Sequence, residues 1–374
     1  MKFLLARAIV LLGCVLAASP EVWAQDVVDY INPATTKPAS ASGKITEEGP
    51  GGIKIRVLKE TTQIPALAIT QITYSLPGVN ALEFRQGFTK ESLAKRATRL
   101  PERRALLQES LTKFKDLYDQ LKMGDERKLA ARYIQFKMAL VKVELAQTDP
   151  ENKQEMKAAL DALTLFKDAY PDGWQIVPAL MTLARLQEEQ GDLDAARRSY
   201  EELVANPAAP REVKRNSDLQ VAQMFIRAKR YLDAENKLHS LFKDTAPGDP
   251  QRGLLQVYLV ESRLAQNKLD KIDTDIKEAL ASSEDVRLKA LAHNLLGDYF
   301  RAKKKDEDAL WQYLMVDVLY SQEKDEHAKA LYHLAHLFEK VQGNRFRAQQ
   351  CLERLTDKSF AGNEYQRKAM AEKK

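Results

Sequence analysis

Two hydrophobic periodicities divide the chain, one typical of strands near its start and one typical of helices over the remainder. Between residues 25 and 76 short apolar runs alternate with polar positions, most clearly at Ile53, Ile55 and Val57, as a half-buried strand requires. Gly and Pro cluster in the same segment, and E-E-G-P-G-G at 47–52 is typical of a turn between two strands. We predict strands at 26–31, 42–46, 53–58, 62–65 and 69–74.

After Pro77 the period changes to that of an amphipathic helix. Apolar side chains such as Leu107 and Leu111 recur at steps of three and four residues, which places them on one helix face. The change of period separates a small β module at 25–76 from connecting helices at 77–125. Long helices are predicted at 79–97, 101–122 and 126–147.

A small residue followed by bulky residues returns about every 38 positions. Ala196 is followed by Tyr200 four residues later and by Leu203 seven residues later, and Ala309 is followed by Tyr313 in the same way. A small residue lets the two helices of a hairpin cross closely, and one hairpin buries its apolar face only against its neighbours. We therefore predict a stack of helix hairpins. The recurring positions are Ala159, Ala196, Ala234, Ile272, Ala309 and Ala348, at spacings of 37, 38, 38, 37 and 39 residues.

This pattern resembles the tetratricopeptide-repeat family. The best match is L-L-G-D-Y-F at 295–300 with A-L-W-Q-Y at 309–313, where Gly297 takes the small position of the first helix and Tyr313 the aromatic position of the second. The resemblance covers about 126–358, although the period is longer than the family's 34 residues. It implies a mainly α fold, a tetratricopeptide-like α-solenoid preceded by a small β-sheet or barrel. Another α-solenoid, such as a HEAT-type array, and a helical domain without repeats are the alternatives.

The strand order expected for the β module resembles that of SH3-like or Sm-like barrels. Residues 33–41 are also compatible with a flexible linker, which would reduce the module to a three-strand meander. Because similar barrels bind RNA, binding of RNA or another anionic polymer is an alternative function. The module lacks the cluster of aromatic and Arg side chains that base stacking requires, so nucleic acid is not the expected partner.

The start of the chain has the pattern of a secretory signal peptide. Basic residues precede an apolar run at 8–18, and small residues precede the expected cleavage site near Ala24, so 1–24 is predicted to be removed. We expect an exported protein, periplasmic or secreted, with no transmembrane segment in the mature chain. The alternatives are a lipoprotein modified at Cys14 and an N-terminal anchor or buried helix.

Charge and motifs change this picture little. The chain of 374 residues has 58 Lys and Arg against 53 Asp and Glu, a net charge of +5, which is too small to indicate nucleic-acid binding. No nucleophile elbow, phosphate-binding Gly loop, C-x-x-C or H-E-x-x-H motif is present, so no enzyme activity and no cofactor are predicted. His333 and His336 could share a helix face, but two ligands do not make a zinc site. Cys351 is predicted to be a buried, inert thiol.

One basic cluster has two interpretations. It is either a solvated elbow between two helices or a contact for an acidic envelope polymer or anionic lipid. The C-terminal segment 359–374 is predicted to be a capping or frayed helix. The basic cluster comprises Lys90, Lys95, Arg96, Arg99, Arg103 and Arg104.

The family resemblance implies a concave wall, formed mainly by the first helix of each hairpin, that binds peptides or proteins. The expected function is a non-enzymatic scaffold of the bacterial cell envelope, and a regulatory subunit of an envelope enzyme is an alternative. The Lys/Asn/Arg set with which some relatives hold a C-terminal carboxylate is absent from the matching positions. The alternative for the residues on the wall is an ordinary solvated helix face. Those residues are Arg185, Gln220, Gln223, Tyr258, Glu261, Asn294, Asp298 and His333.

Overall fold

The structure, a computed structural model, describes residues 25–124 and 127–372. The predicted signal peptide, with its cleavage site near Ala24 and the alternative lipidation at Cys14, lies outside the described residues. In the described part of the chain, none of the helices combines the length and the apolar character needed to cross a bilayer.

A five-stranded antiparallel sheet opens the described chain, in the order β4-β3-β2-β1-β5. All five predicted strands are present, and the three-strand alternative is wrong. Part of the segment considered as a linker belongs to β2, where Pro38 pairs with Ile31. The strands are β1 (Asp26–Ile31), β2 (Pro38–Gly49), β3 (Gly52–Val57), β4 (Glu60–Pro65) and β5 (Ile69–Thr73), with a 3-10 turn at Ala66–Ala68 between the last two.

The turn between β2 and β3 depends on a glycine. Gly52 has a φ of +135°, and a Cβ atom there would lie 2.1 Å from the carbonyl oxygen of Ile64 on β4. Only a residue without a side chain fits this close approach. The alternation predicted for β3 is also observed, since Ile53 and Ile55 are fully buried while Arg56 between Ile55 and Val57 is exposed.

Fifteen α-helices follow the sheet in the described chain, so the protein is mainly helical. The chain divides into two compact units at Ala179/Leu180, a point within α5. The helices are α1 (Ala81–Arg96), α2 (Leu100–Leu121), α3 (Lys128–Thr148), α4 (Lys153–Ala169), α5 (Ile176–Glu189), α6 (Leu193–Ala205), α7 (Arg211–Arg227), α8 (Tyr231–Lys243), α9 (Arg252–Ala265), α10 (Ile272–Ser282), α11 (Val286–Ala302), α12 (Asp306–Leu319), α13 (Lys324–Gln342), α14 (Arg345–Leu355) and α15 (Glu364–Glu372).

In the first unit the sheet shares its core with the helices that follow it. The backbone N–H of Ile72 on β5 donates to the hydroxyl of Tyr133 on α3, at 3.1 Å. The ring of Tyr74, which directly follows β5, packs edge to face against the ring of Phe84 on α1, with centroids 6.3 Å apart. Because a backbone donor at the sheet edge is satisfied by a helix side chain, the sheet is built into the helical unit.

A buried ion pair also joins the sheet to α3. Arg132 lies 2.5 Å from Glu48, whose side chain is almost completely buried, and the hydroxyl of Tyr74 donates to the same carboxylate at 2.6 Å. Burial raises the pKa of Glu48, although Tyr74 and Arg132 oppose that shift. Such a pair fixes orientation more than it adds stability, because both charges lose their water.

The small-then-bulky repeat lies where it was predicted. Each of the six recurring positions falls in the second helix of a hairpin, and Ala196, Ala234, Ile272 and Ala309 in the second unit are fully buried. Tyr313, four residues after Ala309, is also fully buried. The predicted fold class, a mainly helical tetratricopeptide-like array preceded by a small sheet, is confirmed.

The described part of the C-terminal segment is a packed helix. Helix α15 lies against α13 and α14, and Ala369 on it is buried. The side-chain amide of Gln366 donates to the carbonyl oxygens of Leu355 and Asp357, both at 3.0 Å. Leu355 is the last residue of α14, so Gln366 satisfies a carbonyl at the helix end, whereas the Asp357 carbonyl also accepts the N–H of Phe360 at 3.1 Å.

Candidate partner-binding groove

A cavity in the second unit is lined by the first helices of four successive hairpins, α7, α9, α11 and α13. Its volume is about 150 Å³. The cavity is named the first-helix groove below. Its lining residues are Gln223, Ile226, Arg227, Tyr258, Glu261, Arg287, Leu291 and Glu326.

Helical spacing explains how neighbouring groups reach this groove. Tyr258 and Glu261 are three residues apart on α9, and Arg287 and Leu291 are four apart on α11, so each pair shares one helix face. The adjoining faces of these helices enter the core, where Leu255 and Leu288 are buried. The same amphipathic period that forms the core therefore presents polar groups to the groove.

Glu261 has the most perturbed acid–base chemistry in the groove. Burial raises the pKa of its carboxyl to about 7, with further increases from Glu326 and Asp298, while Lys329 acts in the opposite direction. The side chain is half-buried and makes no hydrogen bond or ion pair within the described chain. Near neutral pH, Glu261 is therefore close to the midpoint of its titration.

Two further polar groups in the groove have no partner among the described residues. Tyr258 is only 7% exposed, and its hydroxyl makes no hydrogen bond there. Gln223 is half-buried, and its amide is likewise unpaired within the described ranges. The polar atoms of Tyr258 and Gln223 are reached by solvent within the cavity, so they are available to an external partner.

Other groove residues are already engaged. Arg227 donates to Glu188 on α5, with Nη1 and Oε1 2.8 Å apart. Asn294 on α11 is fully buried, and its amide donates to the Glu326 carboxylate at 2.6 Å and to the Glu326 carbonyl at 2.9 Å. Asn294 thus positions Glu326 and does not itself face a partner.

Beside the groove lies a cluster centred on Asp298 of α11. Lys329 pairs with Asp298 at 2.6 Å, and the hydroxyl of Tyr313 donates to the same carboxylate at 2.5 Å. Burial would raise the pKa of Asp298, but the charge of Lys329 and the hydrogen bonds from Lys329 and Tyr313 outweigh it, and the pKa falls below its ordinary value. Burial opposes the charge of Lys329, yet Asp298 and neighbouring groups raise its pKa well above the ordinary value.

His333 belongs to the same cluster. Arg301 donates to its Nδ1 at 2.8 Å, and its Nε2 lies 3.8 Å from Asp298. Burial lowers the pKa of His333 to about 3, with smaller contributions of the same sign from Arg301 and Lys329, so the ring is neutral at physiological pH. This cluster ties α11 to α13 and leaves little of Asp298 or His333 for a ligand.

The eight residues predicted to line a binding wall therefore have different surroundings. Gln223, Tyr258 and Glu261 line one cavity, whereas Asn294, Asp298 and His333 are held in contacts between helices. Two others lie outside the groove, since Arg185 is exposed and pairs with Glu189 at 3.7 Å, and Gln220 is half-buried on α7. The sequence reasoning did not select Arg227, Arg287 and Glu326, which also line the groove.

The basic cluster near the start of the helices is largely neutralised by carboxylates. Five of its six members are paired, and Arg96 is the one for which the described chain supplies no partner. Pairing of this kind is typical of a charged helix surface rather than of a site kept free for an anionic polymer. The five pairs are Lys90–Glu109, Lys95–Glu91, Arg99–Glu102, Arg103–Glu144 and Arg104–Glu155.

The other candidate chemistry has structural explanations. Cys351 is buried, and burial raises the pKa of its thiol to about 11, which disfavours the nucleophilic thiolate. His336 lies 3.3 Å from Glu372, and no group of three His, Cys, Asp or Glu side chains within the described ranges is arranged to hold a metal ion.

Comparison with known proteins supports the fold. The tetratricopeptide-repeat family matches residues 178–207. A tetratricopeptide-repeat protein from Parabacteroides merdae superposes with a TM-score of 0.52 at 12% identity, over 77% of this chain and 98% of that one. The helical part of this chain has a tetratricopeptide-like fold. No curated protein matches the sequence.

Two other solved structures are similar at lower scores. A Pseudomonas aeruginosa pilF structure gives a TM-score of 0.42 at 17% identity, covering 65% of this chain and 98% of its own. A Rap protein complexed with competence and sporulation factor gives 0.48 at 15% identity, covering 77% of this chain and 80% of its own. A tetratricopeptide-like array fits a protein-interaction scaffold.

Proposed function

We propose that this protein is a non-enzymatic scaffold that binds a peptide or protein segment in the first-helix groove. The observation that supports this most directly is the set of unpaired polar groups from two helices, Gln223 on α7 and Tyr258 and Glu261 on α9, in one cavity. An extended segment has free backbone donors and acceptors that match such groups. The tetratricopeptide-like fold is consistent with this role.

Site-specific photocrosslinking in cells tests the groove directly. A photoreactive amino acid at Ile226, which lines the groove, is expected to form a covalent adduct with the partner. The matched control carries the same amino acid at Leu232 on α8, which is 59% exposed and outside the groove. An adduct at position 226 that is absent at position 232 supports the proposal. No adduct at position 226, or the same adduct at both positions, contradicts it.

We also propose that the mature protein works in the bacterial cell envelope. The support is the sequence pattern of residues 1–24, with a basic start, a short apolar run and small residues before the expected cleavage site. Fractionation followed by N-terminal sequencing is expected to find a mature chain beginning at Gln25. A lipid-modified chain beginning at Cys14 would replace this proposal with the lipoprotein alternative, and an uncleaved cytoplasmic chain would overturn export.

For the sheet we propose an SH3-like fold. The order β4-β3-β2-β1-β5 and the 3-10 turn between β4 and β5 support this assignment. RNA is not the proposed ligand of the sheet, because the β module lacks the cluster of aromatic and Arg side chains that base stacking requires. We propose instead that the sheet stabilises the start of the helical array, through Tyr133 and through the Arg132–Glu48 pair.

A further inference from the structure

The charges around the first-helix groove are not balanced at its acidic end. Arg227 is paired with Glu188, and among the described residues the one ion pair that Lys329 makes is with Asp298. Glu326 accepts a hydrogen bond from the Asn294 amide, which is neutral. Glu261 has no partner within the described chain. Lys329 also acts on Glu261 and Glu326, so three carboxylates, those of Glu261, Glu326 and Asp298, share one cation and this end of the groove keeps a net negative charge.

The positive charge of Arg287 lies elsewhere in the groove. Burial raises the pKa of Tyr258 and Arg287 opposes that shift, whereas the charges that act on Glu261 are those of Lys329, Glu326 and Asp298. Arg287 is an exposed side chain at the start of α11, and it is not paired with either carboxylate. The field at Glu261 therefore favours an additional positive charge from outside.

A second, independent feature beside this carboxyl suits a cationic ligand. Tyr258 lies one helical turn before Glu261, is nine-tenths buried, and its hydroxyl has no partner in the described part of the chain. An aromatic ring beside a carboxylate attracts a cation by two routes, through the charge and through the electrons of the ring face. Ile226 and Leu291 add apolar surface that suits an alkyl stem.

The size of the groove limits its occupant. A volume of about 150 Å³ is smaller than the roughly 300–1,000 Å³ typical of pockets for drug-sized ligands. It suits one side chain of a longer segment that continues along the helices. We propose that the first-helix groove receives a Lys or Arg side chain of the partner, with its cation on the Glu261 carboxylate. This inference rests on the proposed function and specifies the chemistry of the partner.

The titration of Glu261 gives the site a distinctive pH dependence. A cation prefers the ionised carboxylate, so with a pKa of about 7 the affinity should rise about tenfold between pH 6 and pH 8. The groups that face Glu261 are Lys329, Glu326 and Asp298, with Tyr258, Arg227 and Arg287 along the same cavity. The neighbouring His333 has a pKa near 3 and keeps one charge state over this range.

Selection from a displayed library of random dodecamer peptides on the mature chain, residues 25–374, tests the proposal. The enriched peptides are then synthesised with a fluorophore, and their dissociation constants are measured by anisotropy at pH 6 and pH 8. We expect enrichment of Lys or Arg at one position, and at least a tenfold loss of affinity at pH 8 when that residue is replaced by glutamine in the peptide.

Matched variants separate the cation site from the groove as a whole. Glu261→Gln keeps the shape of the side chain and should reduce affinity at least tenfold at pH 8 and abolish the pH dependence. Glu307→Gln, an exposed glutamate on α12, should leave both unchanged. Circular dichroism confirms that each variant is folded, and Glu261→Asp should restore part of the affinity.

The two proposals fail in different ways. Peptides that lose affinity with Gln223→Ala or Tyr258→Phe, but have no basic residue or ignore Glu261→Gln, would overturn the cation site and leave the groove as a binding surface. Peptides that are unaffected by all three substitutions, or no enriched peptide at all, would overturn both proposals.

Discussion

Gly297 on α11 lies directly against the ring of Tyr313 on α12. A Cβ atom added at residue 297 would stand 2.6 Å from Cζ of that ring, closer than carbon atoms approach in folded proteins. Tyr313 cannot move aside easily, because it is fully buried and its hydroxyl is bound to Asp298. The small position of this repeat, Gly297, and its aromatic position, Tyr313, therefore contact each other directly.

We predict that Gly297→Ala destabilises the protein by about 1–3 kcal/mol through overpacking. Alanine is otherwise the better helix former by about 1 kcal/mol, so destabilisation would identify the contact and not the helix propensity. Thermal unfolding monitored by circular dichroism measures the change. Gly248→Ala, where no atom lies within 4 Å of the new Cβ, is the control and should have little effect. An unchanged or higher melting temperature for Gly297→Ala would contradict the close packing.

The Asp298–Lys329 pair predicts a large effect from a single charge removal. Lys329→Met should destabilise the protein by at least about 2 kcal/mol, because Asp298 would remain largely buried without a cation. Lys340→Met removes a similar pair with Asp306, but that lysine side chain is 69% exposed, so a change below about 1 kcal/mol is expected. Chemical denaturation compares the two variants.

A second substitution checks the cause. Adding Asp298→Asn to Lys329→Met removes the stranded charge and should restore part of the lost stability. If the double variant is less stable than Lys329→Met alone, the loss comes from packing and the electrostatic explanation is wrong.

Glu261 predicts how stability changes with pH. Its folded pKa of about 7 exceeds the ordinary 4.5, so the unfolded chain releases the proton first as the pH rises. Stability is therefore lost between about pH 4.5 and pH 7, and a penalty on the order of 3 kcal/mol remains above that range. Glu261→Gln should raise the melting temperature at pH 8 and have no effect at pH 4. Glu307→Gln is the control at both pH values and should leave the melting temperature unchanged. Equal melting temperatures at pH 8 would show that the carboxyl ionises freely.

Substitution of Tyr133 tests how far the stability of the sheet depends on its contact with α3. Tyr133→Phe should cost about 1–3 kcal/mol, because the buried N–H of Ile72 loses its acceptor. Tyr30→Phe is the control, since the Tyr30 hydroxyl makes no hydrogen bond in the part of the chain that the structure describes. Hydrogen exchange of the Ile72 amide should speed up in the first variant alone. Unchanged exchange at Ile72 would mean that the sheet holds this edge without α3.

The fold was largely predictable because its determinants are local and repeat. Ala309 and Val316 are buried at the same spacing as Ala196 and Leu203, so a small residue followed by a bulky one identifies each second helix. The strand alternation at Ile53 and Ile55 depends on the same kind of local rule. Periodic burial is a property of one element, and the sequence displays it directly.

The binding residues were less predictable because their roles depend on contacts between helices. Asn294 and Glu261 both lie on first helices and are both polar, yet Asn294 is fully buried against Glu326 while Glu261 remains unpaired. The partner of Asn294 is 32 residues away, and a single sequence does not show that distance in space. The sequence also gave no sign that Trp311 and Val318 would be exposed, at 64% and 70%, on the outer side of α12.

Helix α15 determines which truncations and fusions the C-terminal end of the helical array tolerates. The amide of Gln366 donates to the carbonyls of Leu355, the last residue of α14, and of Asp357, so this end offers few free acceptors to an added hairpin or to a second chain. Truncation before residue 366 would uncover them together with the side of α13 that α15 now covers. Fusions intended to lengthen the array should therefore replace α15 rather than follow it, and affinity tags placed after it should leave the stack intact.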